Sequence, residues 1–116
     1  MSDEQPPLLD REIIDMLRDA IGESLDSIID LYIQDVPNDI AAMQQALAKN
    51  DLQTVHRLAH SLKSSSANLG AMQASALAAD LEHRIADGEA NTGSIAASIA
   101  KFATCFDQTR SMLKNL

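Results

Sequence analysis

Thr54-Val55-His56-Arg57-Leu58-Ala59-His60-Ser61-Leu62-Lys63-Ser64-Ser65-Ser66-Ala67-Asn68-Leu69-Gly70 is the stretch whose spacing decides the fold. At about 100° per residue, Leu52, Val55, Leu58, Ala59, Leu62, Ser66 and Leu69 fall on one stripe of a helix. A stripe of that kind packs on a core. His60 falls well outside it, with His56, Lys63, Ser64 and Ala67 as its neighbours on the outer face. A partner could bring its own atoms to the imidazole there without meeting a bulky side chain. Gly70 is the expected end of the helix, where a left-handed backbone is cheap.

Working outward, Asn50 and Gln53 have the spacing of a variant capping box, which makes Lys49-Asn50-Asp51 a tight turn and starts the helix there. Before it, Ser24 opens a long helix to about residue 49, with Leu25, Ile28, Ile29, Tyr32, Val36, Ile40, Met43 and Leu47 at helical spacing. Pro37 predicts a kink or local break around residues 33–37, because proline lacks a backbone donor and crowds the preceding turn. Asp10 can cap a short first helix over 11–20, which Gly22 ends. Residues 1–7 read as a mobile tail and 8–116 as a single domain. After Gly70, a fourth helix over 71–87 carries Ala74, Leu77, Ala78, Leu81 and Ile85 on one face and closes at Asp87-Gly88. Residues 91–94 read as loop and cap, and a fifth helix over 95–114 buries Ile95, Ile99, Phe102, Phe106 and Leu113. The expected fold is all-α: an antiparallel up-and-down four-helix bundle with the short N-terminal helix covering one end.

Composition narrows the function. With 116 residues, 46% hydrophobic, four Gly and three Pro, the chain has a globular and mainly helical make-up. It has no apolar run of the roughly 20 residues a membrane span requires, and its acidic start does not resemble a signal peptide, so a cytoplasmic location is expected and no membrane partner. The single cysteine, Cys105, excludes an internal disulfide and reads as a small buried hydrophobe. A formal charge of -8 argues against nucleic acid as a partner, since phosphate contacts need clustered Lys and Arg. The charge is uneven: residues 1–51 hold twelve acids and three bases, whereas residues 52–79 hold Arg57 and Lys63 and no acid. The acid-free segment is the one around His60, a local field suited to an anionic group.

His60-Ser61-Leu62-Lys63-Ser64-Ser65-Ser66-Ala67-Asn68-Leu69-Gly70 resembles the signature of histidine-containing phosphotransfer (HPt) domains, roughly His-x-Leu-Lys-Gly-small-small-x-x-Leu-Gly. The acidic helix with Tyr32, Asp35 and Pro37, the Leu81-Glu82 pair downstream and the chain length are similar to stand-alone bacterial members. The resemblance implies that His60 is the phosphoacceptor, through Nε2, and that Lys63 stabilises the phosphoryl oxygens. It implies receiver docking over His56, Ser64 and Ala67. Ser64 stands where glycine is usual, beside the ring and in the path of an incoming receiver.

The implied function is that of a phosphorelay intermediate, taking a phosphoryl group from a receiver-domain aspartate of a hybrid sensor histidine kinase and passing it to a response-regulator receiver. The alternative is a helical adaptor that binds a kinase or regulator without being phosphorylated. A phosphocarrier, not an enzyme, is expected: no Gly-rich nucleotide loop is present. The chain itself is expected to be a monomer without cofactor, Mg2+ belonging to the partner receiver. His56 and His60, four apart, have a chelating spacing, but a bundle metal site draws inward-facing carboxylates from several helices, so no metal site is expected.

Overall fold

The computed structural model describes residues 5–116. Asp10 starts the first helix, α1 (Arg11–Ile21), by accepting a hydrogen bond from the Glu12 amide at 3.0 Å. That bond satisfies one of the donors that a helix start leaves free. Gly22, at φ +59°, ends it and donates its amide to the Arg18 carbonyl. Of its apolar residues, Ile14 is buried and Ile13 and Leu17 are half-buried, while Ile21 is exposed.

The second helix, α2 (Ser24–Ala48), runs unbroken through Pro37. Of the expected kink or local break, the break is absent. Pro37 lies on the exposed side of α2 while its neighbour Val36 is buried, so the proline ring points to water and the core-facing stripe continues past it. Ile40 is half-buried against the core.

The third helix, α3 (Leu52–Asn68), is capped by Asp51, one residue later than the spacing predicted. Asp51 accepts from the Thr54 amide at 3.1 Å and from its hydroxyl at 2.6 Å. Asn50 instead turns the chain out of α2, with φ at +59°, a conformation asparagine tolerates better than most residues. The fourth helix is α4 (Met72–Ala86). The fifth, α5 (Thr92–Lys114), starts three residues before its expected position, because Asn91 accepts from the Ser94 amide at 2.9 Å and draws residues 92–94 into the first turn. Among the described residues there is no strand.

The helices form a bundle in which α2 packs on α3 and α5, α4 packs on α3 and α5, and α1 packs on α2. The core lies between the four long helices. Phe102 and Phe106 of α5, Leu25 and Met43 of α2, Leu62 of α3 and Leu81 of α4 are its largest fully buried side chains. Burial of each is worth about 1.5–3 kcal/mol. The one buried phenol, Tyr32, packs edge-to-face on Phe106 at 5.7 Å between ring centres. Its hydroxyl lies 2.7 Å from Ser66 Oγ on α3, so neither polar group is left unpaired in the core.

Gly70 has φ +77° and follows the end of α3. It is also where the N-terminal segment approaches: its carbonyl accepts from the Asp10 amide at 2.7 Å, and a Cβ there would lie 2.9 Å from the Asp10 carbonyl oxygen. The part of the expected tail at residues 1–4 lies outside the described residues. At Pro6 and Pro7 the carbonyls accept from Gln73, through its side chain and its amide, both at 3.1 Å.

Candidate functional site

On α3, Val55, Ala59, Leu62 and Ser66 face the core. His60 is therefore turned outward, and its side chain is 60% exposed. The wall beside it is α4, which buries Ala74 and Ala78, with Ala71 buried just before its first residue, each at most 1% exposed. Small side chains allow two helices to approach closely. Ser75 of α4 donates its hydroxyl to the Lys63 carbonyl at 2.9 Å, a direct link between the two helices at the level of the site.

Four positions beyond Ala78, Glu82 continues the buried row of α4 and is 8% exposed. Its Oε2 lies 2.7 Å from His60 Nδ1, its Oε1 lies 2.8 Å from Lys63 Nζ, and His56 Nε2 stands 4.0 Å from Oε2. The Lys63 ammonium is the main cause that holds the Glu82 carboxyl below the usual carboxylate range; burial opposes it and His60 helps. An ionised carboxylate has no proton to give, so in the His60–Glu82 contact the ring nitrogen is the donor. With Nδ1 carrying the proton, a neutral His60 ring keeps its lone pair on Nε2.

His56, His60 and Lys63, three of the residues singled out in the sequence, thus converge on one carboxylate. Ser64 and Ala67 continue the same face of α3 one and two turns beyond His60, Ser64 exposed and Ala67 half-buried. In the sequence, Glu82 stands out only as part of the Leu81-Glu82 resemblance. A stronger signal is present: Ala74, Ala78 and Glu82 repeat every fourth residue, which puts a carboxylate on a buried row, where it needs a cationic partner.

Next to this cluster, between α2 and α3, lies a groove of about 280 Å3 lined by Ile28, Tyr32, Asp35, Asp39, Ser61 and Ser65 among others. Burial, with Asp35 adding to it, pushes the Asp39 carboxyl above its ordinary value. Ile28 and Leu31 of α2 and Met16 of α1 are exposed large apolar side chains, at 44%, 57% and 68%. Among the described residues no helix is long and apolar enough to cross a membrane.

The model of the Hpt domain family matches residues 27–116. The chain is similar in structure to histidine-containing phosphotransfer protein B (HptB) from Pseudomonas aeruginosa PAO1. The TM-score is 0.88 at 25% sequence identity, covering 94% of this chain and 93% of that one. No curated relative matches.

Proposed function

Because this chain belongs to the Hpt domain family, with a histidine phosphotransfer role in phosphorelay signalling, we propose that His60 carries the phosphoryl group on Nε2. The observation that supports this most is the 2.7 Å contact between His60 Nδ1 and Glu82. It ties down the proton-bearing nitrogen and leaves the other on an exposed ring.

In the transfer, the P–O bond to a receiver aspartate breaks as the Nε2–P bond forms, in line. Such a reaction is governed by positioning and by charge stabilisation. Glu82 holds the ring with the proton on Nδ1 and balances the imidazolium charge that forms as Nε2 bonds phosphorus, while Lys63, one turn on, offers its ammonium to the phosphoryl oxygens. Mg2+ belongs to the receiver. The chain is a carrier and not a kinase.

In this reading α2 to α5 form an antiparallel up-and-down four-helix bundle covered at one end by α1, as the ring of helix contacts favours, and residues 8–116 are one domain. Receivers dock over His56, Ser64 and Ala67, with the exposed Ile28, which lines one groove with Ser61 and Ser65, extending the face. The donor is the receiver of a hybrid sensor kinase and the acceptor that of a response regulator, met in the cytoplasm by a monomer. A panel of purified, phosphorylated receiver domains tests this: transfer of label to the chain and onward to a second receiver is expected. Tight receiver binding without any transfer would favour a non-phosphorylated adaptor.

A further inference from the structure

A phosphoryl group on Nε2 changes what the contact between His60 and Glu82 does. With the Nδ1 proton kept, the loaded ring is an imidazolium, and Glu82 Oε2 lies 2.7 Å from the nitrogen that carries that proton. The carboxylate is itself buried on the row of α4, where a charge is screened less than at the surface. Other charged groups stand around this pair. On α3, Lys63 Nζ meets Oε1 at 2.8 Å and His56 Nε2 is 4.0 Å from Oε2; on α2, Asp35 and Asp39 line the groove with Ser61 and Ser65. Among the described residues, Glu82 is the charged group hydrogen-bonded to the ring.

The Nδ1 proton decides how easily the P–N bond breaks. An attacking oxygen, from a receiver aspartate or from water, forms a P–O bond as the electron pair of the P–N bond returns to Nε2. If Nδ1 carries its proton, the leaving group is a neutral imidazole that keeps that proton. If it does not, an imidazolate has to leave, and that anion is a far poorer leaving group. In hydrolysis the products are inorganic phosphate and the neutral ring, with any excess proton of the water passing to solvent.

We propose that Glu82 sets the lifetime of the phosphorylated chain: by holding the loaded His60 ring as an imidazolium through neutral pH, it keeps the phosphoryl group ready to leave and makes the chain a short-lived carrier rather than a store. Glu82 can act so only if His60 is the phosphoacceptor through Nε2, as proposed above. A carboxylate in contact with a ring favours the charged form of that ring. Without the carboxylate, the loaded ring gives up its Nδ1 proton at a lower pH and holds its phosphoryl group longer.

The test loads the chain with phosphoramidate, a small-molecule donor. NMR then follows the Nδ1 proton of the phosphorylated ring across pH, and the fading 31P signal gives the decay rate. In Glu82→Gln, which keeps an acceptor for Nδ1–H but removes the charge, the proton affinity of the loaded ring should fall about ten-fold, the lower end of what an opposite charge in contact gives, because the ring is exposed. Midway between two midpoints that far apart the protonated fractions differ about three-fold, so the variant should lose its phosphoryl group about three-fold more slowly there. The phosphorylated wild-type chain unfolded in urea gives the same comparison if Glu82→Gln does not fold: its ring, parted from Glu82, should titrate at a lower pH than in the folded chain. An equal midpoint with and without the Glu82 charge would overturn the inference. So would a lowered midpoint with an unchanged decay, which would free the lifetime from the proton. If neither phosphoramidate nor any phosphorylated receiver labels His60, it is the proposed function that fails; label that forms on His60 but decays alike in both chains defeats the inference alone.

Discussion

His60 Nδ1 lies 2.7 Å from Glu82 Oε2, so a buried carboxylate on one helix orients an exposed imidazole on the next. The ring is presented by α3 but controlled from α4. Replacing Glu82 by Ala should release the ring to both tautomers, visible in two-bond 15N–1H correlations, and slow phosphotransfer about ten-fold or more, as loss of the partner behind a working imidazole does. Glu82→Gln should keep the Nδ1–H tautomer. A tautomer ratio that is the same in wild type and Glu82→Ala would contradict the assigned role.

The depressed Glu82 carboxyl also fixes a pH dependence. A carboxyl whose folded value is lowered adds stability that is fully present above its unfolded value of about 4.3. That stability is lost as the pH falls through the lower folded value. Urea midpoints measured down the acid limb should therefore fall more steeply for the wild-type chain than for Glu82→Gln.

Tyr32 gives the opposite limb. Burial pushes its phenol up to about 12, against the pull of its bond to Ser66. The stability from the neutral phenol is present below the unfolded value of about 10 and is lost as the pH rises through about 12. Tyr32→Phe should flatten this limb. At neutral pH it should cost about 1–3 kcal/mol, because the Ser66 hydroxyl, fully buried, loses its partner.

Most of the bundle is legible in the sequence, and less of the site. The stripe of α3 and the outward turn of His60 follow from helical spacing, as does the apolar face of α5. The starts of α3 and α5 differ from expectation because of which side chain caps: Asp51 caps α3 in place of Asn50, and Asn91 caps α5 so that it begins at Thr92 and not at Ile95. Pro37 suggests a break that is absent because proline disrupts a helix most severely where its ring and the lost hydrogen bond are buried, and here the ring is on the water side. Glu82 is hidden for a different reason. A glutamate on a helix of mixed face looks like solvated charge until the helix beside it is known to bring Lys63 and His60 within bonding distance.

Gly70 joins two requirements that its place at a helix end reveals only in part. With φ +77° and the Asp10 carbonyl 2.9 Å from where a Cβ would stand, Gly70→Ala incurs left-handed strain of about 1–2 kcal/mol and also pushes the N-terminal segment away. Thermal unfolding should show a loss of at least that size, with raised hydrogen exchange at the Asp10 amide, which donates to the Gly70 carbonyl. Stability equal to wild type would mean that the segment does not rest on the turn.

Lys63 and Ser64, adjacent in sequence, should act on different steps. Lys63→Ala removes a partner of the transferring group and should lower the transfer rate with little change in receiver affinity, as loss of a transition-state interaction does. Ser64 is exposed and lies on the proposed docking face, so Ser64→Gln should weaken receiver binding and transfer together, whereas Ser64→Gly should leave transfer equal or faster. Rapid-quench transfer with receiver binding titrated separately distinguishes them. Wild-type behaviour in both Lys63→Ala and Ser64→Gln would mean that the receiver approaches another face.

Phosphoryl labelling of His60 tests the central claim most directly. On incubation with a phosphorylated receiver, the wild-type chain should gain one acid-labile, alkali-stable phosphoramidate, assigned by 31P NMR to Nε2 of His60. His60→Gln should gain none while its helical circular dichroism spectrum is unchanged, and His56→Gln and His83→Gln should still be labelled. Label retained in His60→Gln, or found on Nδ1, would contradict the account.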